Sequence, residues 1–160
     1  GNQLTSVKEL ENLTKLKTLY LSGNQLTDVT VLKKLTQLKS LGLSNNQLTS
    51  VKELENLTKL THLDLGGNQL TDVKGLEKLT QLEKLSLGGN QLTSVKELEK
   101  LAQLTWLSLS NNQLAEVPKS LENLTQLEKL HLGDNPDLTK SQIDELQKVL
   151  PNCKITHNAK

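Results

Sequence analysis

Residues Leu16–Asn24 read Leu-Lys-Thr-Leu-Tyr-Leu-Ser-Gly-Asn, which is a Leu-x-x-Leu-x-Leu-x-x-Asn motif. The motif begins again at Leu38, Leu60, Leu82, Leu104 and Leu127, so its step is 22 residues four times and 23 residues once. Even Asn2 keeps the register, because it lies 22 residues before Asn24. A fixed period of this length predicts a stacked repeat protein in which each unit contacts mainly its neighbours.

The spacing of apolar residues changes within each repeat. Leu26, Val29 and Leu32 follow one another at intervals of three, which matches the 3₁₀ helix, where residues i and i+3 are eclipsed. Leu41 and Leu43 then follow at an interval of two, which is typical of a strand. Each unit is therefore predicted to be a short strand, a turn and a return arm of 3₁₀-like turns around one continuous leucine and valine core.

An asparagine ends each motif, at the turn that follows the strand. Backbone that leaves a strand there would hold unpaired amide and carbonyl groups, and a short amide side chain can bond them. We predict that these asparagines are structural and bond within their own repeat and to the next one. The positions are Asn2, Asn24, Asn46, Asn68, Asn90, Asn112 and Asn135.

Over nearly the whole chain these motifs resemble the leucine-rich repeat family. The 22-residue step with Leu-Thr-Ser/Asp-Val is similar to the phosphatase-regulatory subclass and to the repeats of bacterial internalins. The resemblance implies an α/β fold: a right-handed, horseshoe-like solenoid with a parallel sheet on its concave side and 3₁₀ or short helical turns on its convex side. It also implies a bacterial source and, for most members, partner binding on the concave side.

Two segments depart from the 22-residue pattern. Val117 and Leu121 are four residues apart, and Pro118 at a first helical position favours a true α-helical turn there. Ser141–Asp144 is interpreted as a capping box that opens a C-terminal helix, whose apolar stripe is Ile143, Leu146, Val149 and Leu150. Cys153–Thr156 is a candidate last strand.

These departures divide one continuous solenoid domain into three parts. Residues 1–15 are predicted to be a truncated N-terminal repeat, residues 16–138 six leucine-rich repeats, and residues 139–160 a C-terminal cap. The front is expected to expose Leu4, Val7, Leu19 and Leu21 unless another domain or a second copy covers them. Self-association through this uncapped N-terminal end is therefore one predicted possibility.

The charge composition argues against several classes of partner. Basic residues number 19 against 18 acidic ones, all 19 are lysine, and a nucleic-acid reader usually needs the bidentate arginine fork. No apolar run approaches the ~20 residues of a membrane helix, so no membrane insertion is predicted. Cys153 is the only cysteine, so the chain holds no internal disulfide. The compartment is left undetermined.

The third and fifth positions of each motif face away from the leucines, toward solvent on the concave side. They hold the only Trp, the only Tyr and two of the three His residues, an enrichment that random drift explains less well than binding does. The predicted partner-binding residues are Thr18, Tyr20, Ser40, His62, Asp64, Lys84, Trp106, Ser108, Lys129 and His131. The two other positions of this kind are Gly42 and Ser86.

The distances between candidate side chains on the predicted sheet argue against both catalysis and metal binding. His62 and Asp64, with serines on neighbouring strands, superficially resemble a catalytic triad. However, residues i and i+2 of a strand lie about 7 Å apart, and a flat sheet offers no oxyanion hole. His62 and His131 are separated by roughly 15 Å, whereas zinc bonds are about 2 Å long. No catalytic residue, metal or cofactor is therefore predicted.

The sequence predicts a non-enzymatic recognition module that binds a protein or peptide on its concave face, with Trp106 as the first anchor. The runner-up is a structural spacer or assembly domain from a larger multidomain protein, or an engineered repeat scaffold, since the repeats are nearly identical. A third hypothesis is a bacterial surface module that binds glycans.

Overall fold

The computed structural model describes all 160 residues as one open, all-parallel sheet backed by short helices. Its strands are β1 (Thr18–Tyr20), β2 (Ser40–Gly42), β3 (His62–Asp64), β4 (Lys84–Ser86), β5 (Trp106–Ser108), β6 (Lys129–His131) and β7 (Lys154–Thr156). Six 3₁₀ helices span Lys8–Asn12, Thr30–Lys34, Lys52–Leu54, Leu76–Lys78, Lys96–Lys100 and Lys119–Asn123. One α-helix, α1, spans Lys140–Val149. Strand order follows chain order from β1 to β7, as the predicted α/β solenoid requires.

Strand pairing aligns equivalent residues of successive repeats into two rows on the exposed face of the sheet. The first row contains Thr18, Ser40, His62, Lys84, Trp106, Lys129 and Lys154. The second row contains Tyr20, Gly42, Asp64, Ser86, Ser108, His131 and Thr156. Between the rows, each strand turns its central aliphatic residue inward, as with Leu63 and Leu85.

The core is one continuous cluster of 41 buried residues, nearly all leucine and valine. On the convex side the backbone bonds run from residue i to residue i−3, for example from Leu32 N to Val29 O at 2.9 Å and from Leu35 N to Leu32 O at 2.9 Å. This pattern places every third residue on the inner side, where it meets the strand leucines. The prediction of strands facing 3₁₀ arms across an aliphatic core is confirmed.

The buried asparagines join neighbouring repeats. Asn68 Oδ1 accepts from Leu48 N–H at 3.0 Å, and Asn68 Nδ2 donates to Leu65 O and to Leu43 O, both at 3.0 Å. Leu43 O also accepts from Asn46, and the equivalent carbonyls of Leu21, Leu65, Leu87 and Leu109 likewise each accept from two successive asparagines. The structural role is confirmed for every predicted asparagine except Asn2, which is exposed and whose side chain forms no hydrogen bond. The partner repeat was wrongly predicted: the amide reaches the preceding repeat, because the turn lies against the strand end that came before it.

The irregular repeat around Pro118 does not form the α-helical turn that the sequence predicts. Pro118 is extended (φ −64°, ψ 128°) and precedes a 3₁₀ helix, in which Leu121 N–H donates to Pro118 O at 3.0 Å. Pro118 O thus takes the role that Val95 O has in the preceding repeat, and the extra residue lengthens the extended segment instead of the helix. Ser120 is buried and donates from Oγ to Val95 O at 3.1 Å.

The C-terminal helix begins earlier than predicted. Its N-cap is Thr139, and the capping box joins Thr139 to Gln142, so the assignment to Ser141–Asp144 was wrong. Val149 is 49% exposed and does not belong to the buried stripe, because it lies on the outer side of the last turn. The other predicted members, Ile143, Leu146 and Leu150, are buried in the core, which supports the proposal that residues 139–160 form a cap on the repeats of residues 16–138.

The N-terminal end is better covered than the sequence suggests. Val7 and Leu21 are buried, because the 3₁₀ helix Lys8–Asn12 and the next repeat enclose them, so the prediction that both are exposed was wrong. Leu19 is partly buried against the core, and Leu4 is 40% exposed. We propose that residues 1–15 are the return arm of a truncated repeat.

Replacing one buried asparagine should weaken the whole stack. Asn68→Ala leaves Leu48 N–H without a partner and removes one of the two amides bonded by Leu43 O and by Leu65 O. We expect a loss of at least about 2 kcal/mol of unfolding free energy, measured by urea denaturation followed by circular dichroism. The matched control is Gln69→Ala, since the Gln69 side chain is exposed. Equal midpoints for the two variants would show that the asparagines do not hold the repeats together.

Candidate functional site

The exposed face of the sheet forms a shallow concavity of about 570 Å³. Its lining is Tyr20, Ser40, Leu41, His62, Leu63, Asp64, Lys84, Ser86, Trp106 and Lys129. Seven of the ten predicted partner-binding residues are therefore brought together, while Thr18, Ser108 and His131 lie outside the lining. The lining also includes Leu41 and Leu63, which were not predicted, and Ser86, which has an exposed-row position but was left out of the predicted set.

Tyr20 marks the N-terminal end of this concavity and is 72% exposed. A Cβ on the adjacent Gly42 would approach Tyr20 Cδ1 to 2.7 Å, so the ring lies over the glycine. Because Gly42 has no Cβ, the Tyr20 ring has room to lie against the sheet. The aromatic ring therefore presents one open surface to solvent.

The centre of the concavity holds His62 and Asp64, and each forms a hydrogen bond with a residue close to it in the sequence. His62 Nδ1 lies 2.9 Å from Thr61 Oγ1, and Asp64 Oδ1 accepts from Gly66 N–H at 3.0 Å. No hydrogen bond joins His62 to Asp64 or to a serine. The side chains therefore form no relay of the kind that a serine nucleophile needs.

The C-terminal end is organised around Trp106 on β5. Its ring packs against His131 on β6, with centroids 5.4 Å apart and planes tilted by 55°. His131 Nδ1 in turn lies 2.7 Å from Thr156 Oγ1 on β7. The ring contact and this hydrogen bond together hold Trp106 in place through residues of the next two strands. Trp106 is consequently partly buried.

The strand β7 extends both exposed rows by one residue. Lys154 pairs in register with Lys129, and Thr156 pairs with His131, so both belong to the same face as Trp106. The strand was predicted from the sequence, but these two residues were not predicted to belong to the site. Aligning Ile155 with the central leucine Leu130 would have revealed them.

The structure gives no support to an alternative chemical site. The only cysteine, Cys153, is buried, and burial raises the pKa of its thiol, which disfavours the reactive thiolate. No three His, Cys, Asp or Glu side chains lie close enough together to hold a metal ion. None of the helices is both long and apolar enough to cross a membrane.

Comparison with known proteins agrees with this architecture. A two-copy leucine-rich repeat profile matches residues 1–34, 36–78 and 58–100, and a second leucine-rich repeat profile matches residues 80–136. A search of curated proteins gives no match.

Several solved bacterial structures are similar over nearly the whole chain. An internalin (inlF) of Listeria monocytogenes is 31% identical with a TM-score of 0.91, and the alignment covers 99% of this chain and 47% of that one. Internalin C2 of the same organism is 34% identical with a TM-score of 0.90, over 98% and 67% of the two chains. A leucine-rich repeat protein of Leptospira interrogans is 31% identical with a TM-score of 0.70, over 95% and 51%.

The chain thus spans about half the length of the inlF and Leptospira structures and about two thirds of the internalin C2 structure. The repeat profiles, the parallel sheet and the 3₁₀ arms all agree with the resemblance seen in the sequence. The chain belongs to the leucine-rich repeat family.

Proposed function

We propose that this chain is a non-enzymatic recognition module that binds a protein or peptide partner on the concave face of its sheet. Leucine-rich repeat proteins of the internalin type are typically interaction modules. The observation that carries the proposal is the position of the only Trp and the only Tyr. In a chain whose core is aliphatic, both aromatic rings lie on the exposed face of one sheet.

Trp106 is the proposed anchor. Aromatic side chains, tryptophan above all, are enriched among the residues that dominate binding energy at protein interfaces. The packing of Trp106 on His131, and the bond from His131 to Thr156, hold the ring in place before a partner arrives. Little side-chain entropy is then lost on binding, which favours affinity.

The surface has the dimensions of a peptide or of one edge of a small domain. Six steps between seven strands, each about 4.8 Å, give a span of roughly 29 Å. The proposed contact residues are Thr18, Tyr20, Ser40, His62, Asp64, Lys84, Trp106, Ser108, Lys129 and His131, to which the structure adds Lys154 and Thr156. The proposal includes no cofactor, no metal and no nucleic acid.

A second candidate function is assembly through the N-terminal end. Leu4 and Leu13 are 40% and 47% exposed there, and Leu16 and Leu19 are only partly buried. These leucines favour end-to-end contact with a second copy. Sedimentation velocity against protein concentration separates the two functions: a recognition module stays monomeric, whereas an assembly domain dimerises and Leu13→Lys disrupts the dimer.

Replacing the anchor should weaken partner binding without unfolding the chain. Peptides are selected from a displayed random library on the wild-type protein and are then measured against Trp106→Ala by calorimetry. We expect the variant to lose at least about 2 kcal/mol of binding free energy, because the contact made by the anchoring indole ring is removed. Circular dichroism should show an unchanged fold, since the Trp106 ring lies outside the core.

The control for this experiment is Lys100→Ala, a substitution at an exposed position of the convex 3₁₀ helix Lys96–Lys100. It should bind the selected peptides as the wild type does. Selected peptides that bind Trp106→Ala equally well would rule out the concave face around Trp106 as the recognition surface.

The contact between Trp106 and His131 can be tested without a partner. His131→Ala removes the ring that covers one side of the indole, so we expect fluorescence emission to shift to the red and acrylamide to quench it more strongly. Because Trp106 is the only tryptophan, the signal reports on this position alone. His62→Ala, two strands away from Trp106, is the control and should leave emission unchanged. Identical quenching in all three proteins would contradict the preorganised anchor.

A further inference from the structure

We infer that the C-terminal half of the concave face, on strands β4 to β7, selects an acidic segment of its partner. The inference rests on the proposed function of this face and names the chemistry of the ligand. Lys84, Lys129 and Lys154 occupy three of the four first-row positions on these strands, and Trp106 occupies the fourth. Four adjacent strands span about 14 Å, so the three ammonium groups serve one short contact region.

These lysines have no carboxylate partner within the protein. None of the three forms a salt bridge, and the second row on the same strands contains only Ser86, Ser108, His131 and Thr156. Glu83 and Glu128 precede β4 and β6 in the sequence, but neither pairs with a lysine. The positive charge of this region is therefore not neutralised internally.

The one carboxylate on the concave face lies outside this region. Asp64 belongs to β3, in the second row, and its Oδ1 accepts from the backbone of Gly66 instead of meeting Lys84. Asp64 thus lies beside the basic region without pairing with it. A partner segment that extended past Lys84 toward β3 would meet a negative side chain.

Two of these lysines repel each other in the free protein. Lys129 and Lys154 are directly opposite each other on adjacent strands, and like charges in such pairs are destabilising. On the convex side two lysines have acidic partners, because Lys34 pairs with Glu11 and Lys78 pairs with Glu55, each at 2.8 Å. On strands β4 to β7 neither exposed row contains a carboxylate, so an acidic ligand would relieve the repulsion between the lysines there.

The spacing also indicates the form of the ligand. Lys84 and Lys129 are two strands apart, about 10 Å, which equals roughly three residues of an extended peptide. Trp106 lies between them and offers the face of an indole to an apolar side chain. An extended segment with two acidic residues about three positions apart and an apolar residue between them fits this row. A single-stranded nucleic acid fits less well, since it needs successive stacking platforms and this half has one aromatic ring beside His131.

Fluorescence of Trp106 tests the inference directly. Two synthetic peptides are titrated at low ionic strength: one has a central leucine flanked by glutamate and aspartate, and its counterpart has glutamine and asparagine instead. We expect the acidic peptide to change the fluorescence saturably and to bind at least about ten times more tightly than its neutral counterpart, with affinity falling as salt is added. An oligothymidylate is titrated in parallel.

A matched pair of variants locates the site. The double variant Lys84→Gln with Lys129→Gln should lower the affinity for the acidic peptide by about tenfold or more. The control double variant, Lys33→Gln with Lys100→Gln, removes the same charge from exposed convex positions and should leave this affinity unchanged. Equal affinity for the two peptides, no binding of the acidic peptide, tighter binding of the oligothymidylate, or equal effects of both double variants would each overturn the inference.

Failure of this inference is distinguishable from failure of the proposed function. If library peptides depend on Trp106 but are neutral or basic, the concave face is a recognition surface and only its acidic preference is refuted. If no library peptide depends on Trp106, the recognition surface itself is refuted.

Discussion

The structure depends on the buried asparagine that follows each of the strands β2 to β6. Its amide bonds the strand end of its own repeat and two backbone groups of the preceding repeat, as Asn68 does with Leu65, Leu43 and Leu48. A buried backbone donor without a partner is costly, so each repeat is stable only when its neighbour is stacked in the correct register. Because successive amides share carbonyls, this constraint extends along the whole sheet. The leucine core supplies most of the stabilising burial, and the asparagines decide how the repeats align.

That alignment explains how a nearly repetitive chain can carry a specific surface. Parallel pairing in register turns equivalent positions of successive repeats into two straight rows on the exposed face of the sheet. Side chains in these rows lie outside the leucine core, so they vary without disturbing its packing. The chain uses this freedom unevenly: Tyr20 and Asp64 lie toward β1, while Trp106 and the unpaired lysines lie toward β7. Stability and recognition are thus assigned to opposite faces of the same strands.

Much of this architecture could be predicted from the sequence, because periodicity alone determines which face a residue occupies. Intervals of two and three predicted the strands, the 3₁₀ arms and the exposed rows. Features set by geometry between repeats were missed: the asparagines bond backward, the extra residue at Pro118 lengthens an extended segment, and Thr139 caps the helix. Lys154 was overlooked because β7 lacks the leucine motif that fixes register in the other strands. The contact of Trp106 with His131 depends on side-chain conformations, which no spacing reveals.

The central claim is that the concave face recognises a partner through the region around Trp106. The most direct measurement is an amide NMR titration of the isotope-labelled chain with a peptide selected on it. The account predicts that chemical-shift changes cluster on strands β4 to β7 around Trp106, while the convex 3₁₀ helices are unaffected. Changes confined to the convex helices, or to the exposed leucines of the N-terminal end, would contradict it.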